Sequence, residues 1–368
     1  MDHALVSAST IVWLGLAIGA VFGASSQRTS FCTMGAVSDA VNIGDWTRMR
    51  MWALAIATAI LGTGALQALG LFDPAKTIYT GARLPWLSHV VGGLAFGIGM
   101  TLASGCAGKT LIRIGGGNLK SVVVFVFLAI GASMTLRGLT GVWRVEFLDP
   151  VALQLPHAQT LPAFLAAAGM DSRDALLAAT ALAGGALLAW ALASRDARRP
   201  EVLFGGAIVG LAVVAGWYVT GHLGHIAEHP DTLEEVFLAT NSGRAESLSF
   251  VAPQAFTLEL LLLWSDANRQ MSFGIASALG VVAGAAATAL ATRSFRIEGF
   301  RDAADLVRHI AGGLLMGFGG VTALGCTLGQ GVSGLSTLAL GAIITTAAIV
   351  AGAAATMKFQ YWLLTREP

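Results

Sequence analysis

GGLAFGIGMTLASGC, residues 92–106, returns 220 residues later as GGLLMGFGGVTALGC, residues 312–326. Eight of the fifteen positions are identical, among them Gly97/Gly317, Gly99/Gly319 and Ala103/Ala323. Composition alone gives about one or two matches, even in a chain this rich in Gly and Ala. His89 and His309 extend the same offset. The chain therefore reads as an internal duplication. Two of its three cysteines, Cys106 and Cys326, close the two copies. Repeats of this length in a membrane protein point to a transporter whose site lies where the copies meet.

The composition places that duplication in a bilayer. The 368 residues are 55% hydrophobic and 12% charged, and the mean hydropathy is +0.72. Soluble domains carry about twice that charge. Apolar runs long enough to span, roughly 17 to 25 residues, recur from end to end. The expected fold is an all-α integral membrane protein with one transmembrane domain. Nine spans are expected, near 9–25, 51–71, 87–106, 118–137, 175–194, 202–220, 271–292, 308–326 and 334–356. Residues 27–45, 107–117 and 250–266 fit none of them. Short apolar pieces of this kind are expected to re-enter the bilayer, with 327–333 as partner of 107–117. They are tolerated at depth only against protein or along a cavity.

Charge gives an orientation. Fifteen of the 22 Lys and Arg residues, from Arg28 and Arg48 to Lys358 and Arg366, fall on the C-terminal side of this nine-span pattern. The positive-inside rule then puts the N-terminus outside and the C-terminus in the cytoplasm. The acidic stretch 221–250 becomes external. Met1-Asp2-His3 carries no Lys or Arg before the first apolar run, so no cleaved signal peptide is expected. With the copies five spans apart, the halves are expected to be inverted in a 4+1+4 arrangement. Repeat one covers about 9–140, a linker helix 175–194, and repeat two about 202–356. Such a pair brings equivalent residues together near the midplane.

Three cysteines, odd in number and far apart, do not form a disulfide framework. A lone cysteine in an apolar setting is usually a small buried hydrophobe, but Cys106 and Cys326 are kept by the duplication. Gly105 and Gly325 precede them where the helix is expected to stop, leaving backbone groups free to hold an anion. Cys32, in RTSFCTMG, follows the cationic Arg28 and has no cysteine counterpart in FVAPQAFTLE, residues 250–259. A thiol in a low-dielectric passage stays neutral unless a cation is near. A neutral thiol can pass a soft sulfur anion along through S–H···S contacts, since passage needs weak, repeated binding. Arg28 and Lys109 would draw the anion at the cytoplasmic side, although interfacial snorkelling explains Lys109 equally well. Gln330, just beyond Cys326, completes the candidate path.

Other features are weighed and set aside. His222, His225 and His229 have a zinc-compatible spacing, but Gly221, Gly224 and Pro230 break the helix that would align them, so no metal or other cofactor is expected. His89 and His309 are expected to cap or anchor span starts. Trp86, Trp143, Trp217, Trp264 and Trp362 suit the aromatic belt of a membrane interface. Asp39 and Glu259 are the carboxylates to consider as intramembrane proton sites. Nothing points to nucleic acid.

Three stretches together, SQRTSFCTMGAVSDAV (26–41), GMTLASGCAGKTLIRIGGGN (99–118) and FRIEGFRDAADLVRHIAGGLLMGFGGVTALGCTLGQGVSGLSTLALG (295–341), resemble the YeeE/YedE family of sulfur-compound membrane transporters. The resemblance runs from about residue 10 to 355. It implies thiosulfate uptake into the cytoplasm across a bacterial inner membrane, through an hourglass with cysteines at its constrictions. It also implies a cytoplasmic sulfur carrier of the TusA type as partner. The family's motif cysteines fall on Cys32, Cys106 and Cys326. Some members carry a further cysteine near the start of the seventh span, where this chain reads Met271-Ser272-Phe273-Gly274. That departure touches the relay and the preferred substrate, because other branches are linked to selenium. The alternatives are a membrane-bound sulfurtransferase forming a cysteine persulfide, and a pore for another small anion. The enzyme is disfavoured, since no His adjoins any of the three cysteines in sequence.

Overall fold

In a computed structural model, which describes residues 6–229, 233–267 and 269–365, the chain is helical nearly throughout. Met1–His3, Pro230, Asp231 and Arg366, which enter the sequence reading, lie outside the described residues. The first half contains α1 (Ala8–Thr29), α2 (Thr33–Asn42), α3 (Thr47–Ala68), α4 (Trp86–Leu102), α5 (Ala107–Gly115) and α6 (Leu119–Arg137). Three helices follow: α7 (Leu139–Trp143), α8 (Leu161–Ala167) and α9 (Ser172–Leu192). The second half contains α10 (Pro200–Tyr218), α11 (Ala252–Leu262), α12 (Phe273–Ala291), α13 (Ala303–Thr322) and α14 (Leu340–Leu364). Two antiparallel two-residue ladders tie loops, Arg83–Leu84 to Leu153–Gln154 and His225–Ile226 to Val236–Phe237.

Among the described residues eight helices, counting α2 with α1 and α5 with α4, are long and apolar enough to cross a membrane. The ninth expected span is α13, 20 residues whose first turns carry Asp305, Arg308 and His309. Its apolar stripe is shortened by those polar residues. The protein is a multi-pass helical membrane protein.

Helix starts follow local chemistry. Ser7, Asn118, Ser272 and Asp302 each accept a backbone N–H of the first turn with a side-chain oxygen, which satisfies an otherwise orphaned donor. Pro200 opens α10 at a position where its missing N–H costs nothing. Helices α4 and α13 stop at equivalent points: Ser104 and Leu324 both adopt left-handed backbone, φ 56° and 60°. A non-glycine residue there is uncommon, so the same break is built twice.

Packing rests on glycine. A Cβ on Gly92 would strike Ala323 and Gly319, and one on Gly312 would strike Ala103 and Gly99. Thus α4 and α13 cross antiparallel at backbone contact. Gly93 and Gly97 face Ala348, Ile349 and Ala353 of α14, and Gly313 and Gly317 face Val124, Leu128 and Ala132 of α6. Likewise Gly15, Gly19 and Gly23 lie on Phe273, Ser277 and Val281, while Gly206 and Gly210 lie on Met51 and Ala55. Each contact in one half thus has a counterpart in the other: α4 on α14 and α13 on α6, α1 on α12 and α10 on α3. In lipid, small residues permit this approach, and dispersion and backbone contact replace the hydrophobic drive. Polar ties lock it further. His89 Nδ1 meets Thr345 Oγ1 at 2.7 Å, and Lys120 Nζ meets Asp305 Oδ2 at 2.7 Å.

Several expectations need correction. Residues 27–29 continue α1, and the short helix spans only Thr33–Asn42. The last span begins at Leu340 rather than 334, because Leu338 turns left-handed (φ 56°) and residues 338–341 bond to Gln159 and Leu161 first. Trp217 is no interface residue: it is fully buried, packs on Phe72 and Tyr79, and donates its indole N–H to Ser336 Oγ at 3.0 Å. Trp86, Trp143, Trp264 and Trp362 are exposed, as a belt requires. Neither histidine caps a helix start: both sit inside the first two turns of their helices, His309 bonding the Asp305 carbonyl.

Candidate functional site

All three cysteines are free, and each stands at the start of a short helical segment. Cys32 is the extended residue that caps α2, and its sulfur accepts the Gly35 N–H at 3.3 Å. Cys326 repeats the device, accepting Gly329 N–H at 3.3 Å. At Cys106, which caps α5, the Lys109 amide sits beside the sulfur in the same register without completing a cap hydrogen bond. A helix start offers unpaired N–H groups and a positive dipole end, so each sulfur occupies a locally electropositive place.

Cys106 and Cys326 are buried, 6% and 0% exposed. Cys106 lies within hydrogen-bond reach of the Thr327 side chain and within electrostatic range of both Cys32 and Cys326. The polypeptide around them is held by two fully buried glutamines. Gln254 Nε2 donates to the Ala107 carbonyl at 3.0 Å, and Gln330 Nε2 donates to the Ala323 carbonyl at 2.6 Å. A carbonyl only accepts, so each amide's orientation is fixed, and its Oε1 finds no partner among the described residues.

On one side of these sulfurs a cavity of about 300 Å³ is lined by Ser30, Cys32, Gly35, Asp39, Arg48, Ser104, Lys109 and Arg113. Arg48 pairs with Asp39 at 3.3 Å. Arg113 donates to the Ser104 carbonyl at 2.7 Å, across the break that ends α4. On the other side a cavity of about 350 Å³ is lined by Tyr79, Arg137, Arg144, Glu246, Val251, Leu324 and Gly325, with others. The antiparallel α4 and α13 run toward opposite ends, so the breaks at Ser104 and Leu324 open the cavities at opposite ends of the pair. Between them lie the two buried sulfurs, which line neither cavity.

The predicted residues fall as follows. Cys32 and Lys109 line the first cavity, Gly325 the second. Gly105 lies against the Lys109 stem, and Gly325 is wrapped by the Gln330 stem. Arg28 ends α1 on the exposed surface and belongs to neither lining. Asp39 and Glu259 are both matched by arginine, Glu259 by Arg137 at 2.8 Å and Arg269 at 3.0 Å. His222 stacks on Tyr218, while His225 stacks on Phe237 and meets Glu235. Among the described residues no three His, Cys, Asp or Glu side chains come together to hold a metal.

Sequence reasoning missed Arg48, Arg113, Gln254 and Glu246. One signal was present. Ser30-Phe31-Cys32 aligns with Ser249-Phe250-Val251, so Val251 stands where the first half has Cys32 and Gln254 where it has Gly35. Both triplets begin a short helix beside a cavity.

The site thus belongs to a multi-pass helical membrane protein with duplicated glycine crossings and cysteines at the helix breaks. The chain belongs to the Sulphur transport family, which it matches over residues 28–355. The YeeE/YedE resemblance drawn from its motifs therefore holds. Among curated relatives it is 28% identical to the thiosulfate transporter TsuA of Escherichia coli (strain K12) over 333 residues, 88% of this chain and 87% of that protein. It is 26% identical to the thiosulfate transporter TsuA of Spirochaeta thermophila over 350 residues, 93% of this chain and 97% of that protein.

Proposed function

We propose that this protein is an inner-membrane permease that takes thiosulfate, or a closely related sulfur anion, into the cytoplasm. The observation that carries the reading is the pair of cavities at opposite ends of the α4/α13 crossing, separated by Cys106 and Cys326. Two relatives covering most of the chain are named thiosulfate transporters, which supports a sulfur anion as the substrate. The anion passes Cys326 and Cys106 and leaves by Cys32. Each sulfur that accepts an amide N–H has a lone pair occupied, so its own S–H remains to be offered to the anion. A thiol is a weak, polarizable donor, suited to binding that must not trap.

The halves are an inverted pair related by a two-fold axis in the membrane plane, repeat one at about 9–140 and repeat two at about 202–356. The reciprocal helix packing supports this. The charge bias supports an external N-terminus, which assigns the Glu246 cavity to the outside and the Cys32 cavity to the cytoplasm. A small cytoplasmic sulfur carrier of the TusA type collects the product at the Cys32 mouth.

Uptake of ³⁵S-labelled thiosulfate by cells lacking other routes tests the reading. Replacing both Cys106 and Cys326 by Ala should lower uptake about tenfold or more, a loss of roughly 1.4 kcal/mol or more. Undiminished uptake would refute the cysteine role. Mass spectrometry after thiosulfate exposure separates the alternative: a stoichiometric persulfide on one cysteine would identify a sulfurtransferase instead.

A further inference from the structure

The cavity that ends at Gly325 contains a carboxylate which the cysteine path does not use. Glu246 sits half-buried in its wall, in a segment pinned at successive residues. Ala245 N–H donates to the Lys76 carbonyl at 3.0 Å, Glu246 N–H to Thr220 Oγ1 at 3.0 Å, and Ser247 Oγ to the Val213 carbonyl at 2.7 Å. The segment that carries the carboxylate is thus tied down on both sides of it. Its Oε1 accepts two backbone N–H groups, from Asn241 at 3.0 Å and Ser242 at 2.8 Å.

Among the described residues no cation pairs with it, although four lie near. Arg137 is committed to Glu259, and Arg144 to Asp149 at 3.2 Å. Arg244 donates to the Thr77 carbonyl at 3.0 Å. Lys76 is held by Glu235 and His225. The other titratable groups to consider are Tyr79, which lines the same cavity within electrostatic range of Glu246 and Cys326, and His222, two residues past Thr220 and stacked on Tyr218. Arg137, Arg144 and Lys76 are thus each neutralised by another carboxylate, Arg244 is bound to a carbonyl, and among the described residues the Glu246 carboxylate has no cation of its own. Desolvation in the wall pushes its carboxyl above the ordinary carboxylate range, against the hydrogen bonds from Ser242 and Asn241.

We propose that Glu246 is a protonatable charge filter: ionised, it repels a divalent anion from the cavity leading to Cys326, and protonated, it admits one. The proposal rests on the reading of this cavity as the outer mouth of an anion path. A fixed charge of one sign in a low-dielectric cleft controls the local concentration of ions, and its removal by a proton makes entry depend on external pH. The bland role, an acceptor that merely fixes the 241–246 turn, predicts no such dependence.

The test is ³⁵S-thiosulfate influx into proteoliposomes containing the full chain, with external pH lowered stepwise from neutrality through the range in which a carboxyl held above its ordinary value takes up its proton. Thiosulfate stays a dianion throughout, so its own charge does not change. Wild-type influx should rise about fivefold to tenfold toward acid, since one group changes its ionised-to-neutral ratio tenfold per pH unit. Glu246→Gln keeps the acceptor oxygen for both N–H groups and should flatten the profile at the acid-side rate. A Glu246→Gln profile parallel to wild type would overturn the filter and leave the transport reading standing. So would a flat wild-type profile, which needs no variant. A wild type that moves no thiosulfate at any pH would defeat the transport reading itself and the filter with it.

Discussion

At one end of the α4/α13 pair a cavity is entered beside Ser30-Phe31-Cys32, and at the other beside Ser249-Phe250-Val251. The backbone device is common to both: a glycine-lined helix that stops at a left-handed residue, then a short helix or turn begun by cysteine. The side chains diverge. The Cys32 cavity has a thiol, Lys109, Arg113 and an Arg48–Asp39 pair. The Glu246 cavity has Val251 in the thiol's place, and its arginines are cancelled by carboxylates. Scaffold residues therefore behave as a duplicated set, while the side chains that line each cavity have diverged.

The sharpest way to break that comparison is through the scaffold. Gly97→Leu and Gly317→Leu each drive a side chain into a neighbouring backbone, at Ile349 and Leu128 respectively. Both should cost about 3 kcal/mol or more through overpacking and leave little monodisperse protein after detergent extraction. Wild-type yield and melting for either one alone would show that the two crossings are not equivalent.

Exchanging the divergent residues should matter next. Cys32→Val should lower thiosulfate uptake about fivefold, roughly 1 kcal/mol, whereas Val251→Cys should leave it within about twofold. Equal losses in the two variants would mean that Cys32 only fills space. A smaller effect belongs to Lys109→Gln, expected to reduce uptake about threefold at low ionic strength, with the difference shrinking as salt screens the charge. A salt-independent loss would place Lys109 in packing rather than attraction.

The smallest effect lies away from both mouths. The Lys76 ammonium and the His225 ring hold the Glu235 carboxyl below the usual range. A carboxylate with a lowered folded pKa contributes stability above its unfolded value, and that stability fades as pH falls through the folded one. Glu235 is 44% exposed on its side chain, so solvent screens most of the gain. Glu235→Gln should shift the melting temperature by about 1 °C at neutral pH and by nothing detectable once wild-type Glu235 is protonated. A shift that survives at low pH would mark a packing effect.

Much of this architecture was visible in the residues, and for identifiable reasons. Spans show themselves because a bilayer demands about twenty apolar residues in a row, and the crossing glycines because the duplication marked them. The short α2, α5 and α11 announced themselves by being too short to span. What stayed hidden depends on distant approach. Trp217 carries no sequence mark separating a buried indole from an interfacial one; only Phe72, Tyr79 and Ser336 arriving around it decide the matter. Residues 138–168 fold into α7, α8 and a two-residue strand, without periodicity to read. Arg113 became a site residue by reaching back across the break at Ser104, a contact between residues nine apart on either side of a cysteine. Glu246 looked like one more acidic residue in a polar loop, until the loop proved to be stitched into the wall of a cavity.

The glycine crossings carry a mechanical consequence. Helices that touch main chain to main chain, with Gly97 against Ile349 and Gly317 against Leu128, have no side-chain cushion to absorb a tilt. Rocking one against the other would pull apart close-packed atoms along the whole seam. Whatever yields to let cargo through must then be thin: a thiol changing rotamer, or a single turn after a helix break. Opening on that scale needs no swing of the bundle, and the wall can stay still while only its hinged trim moves.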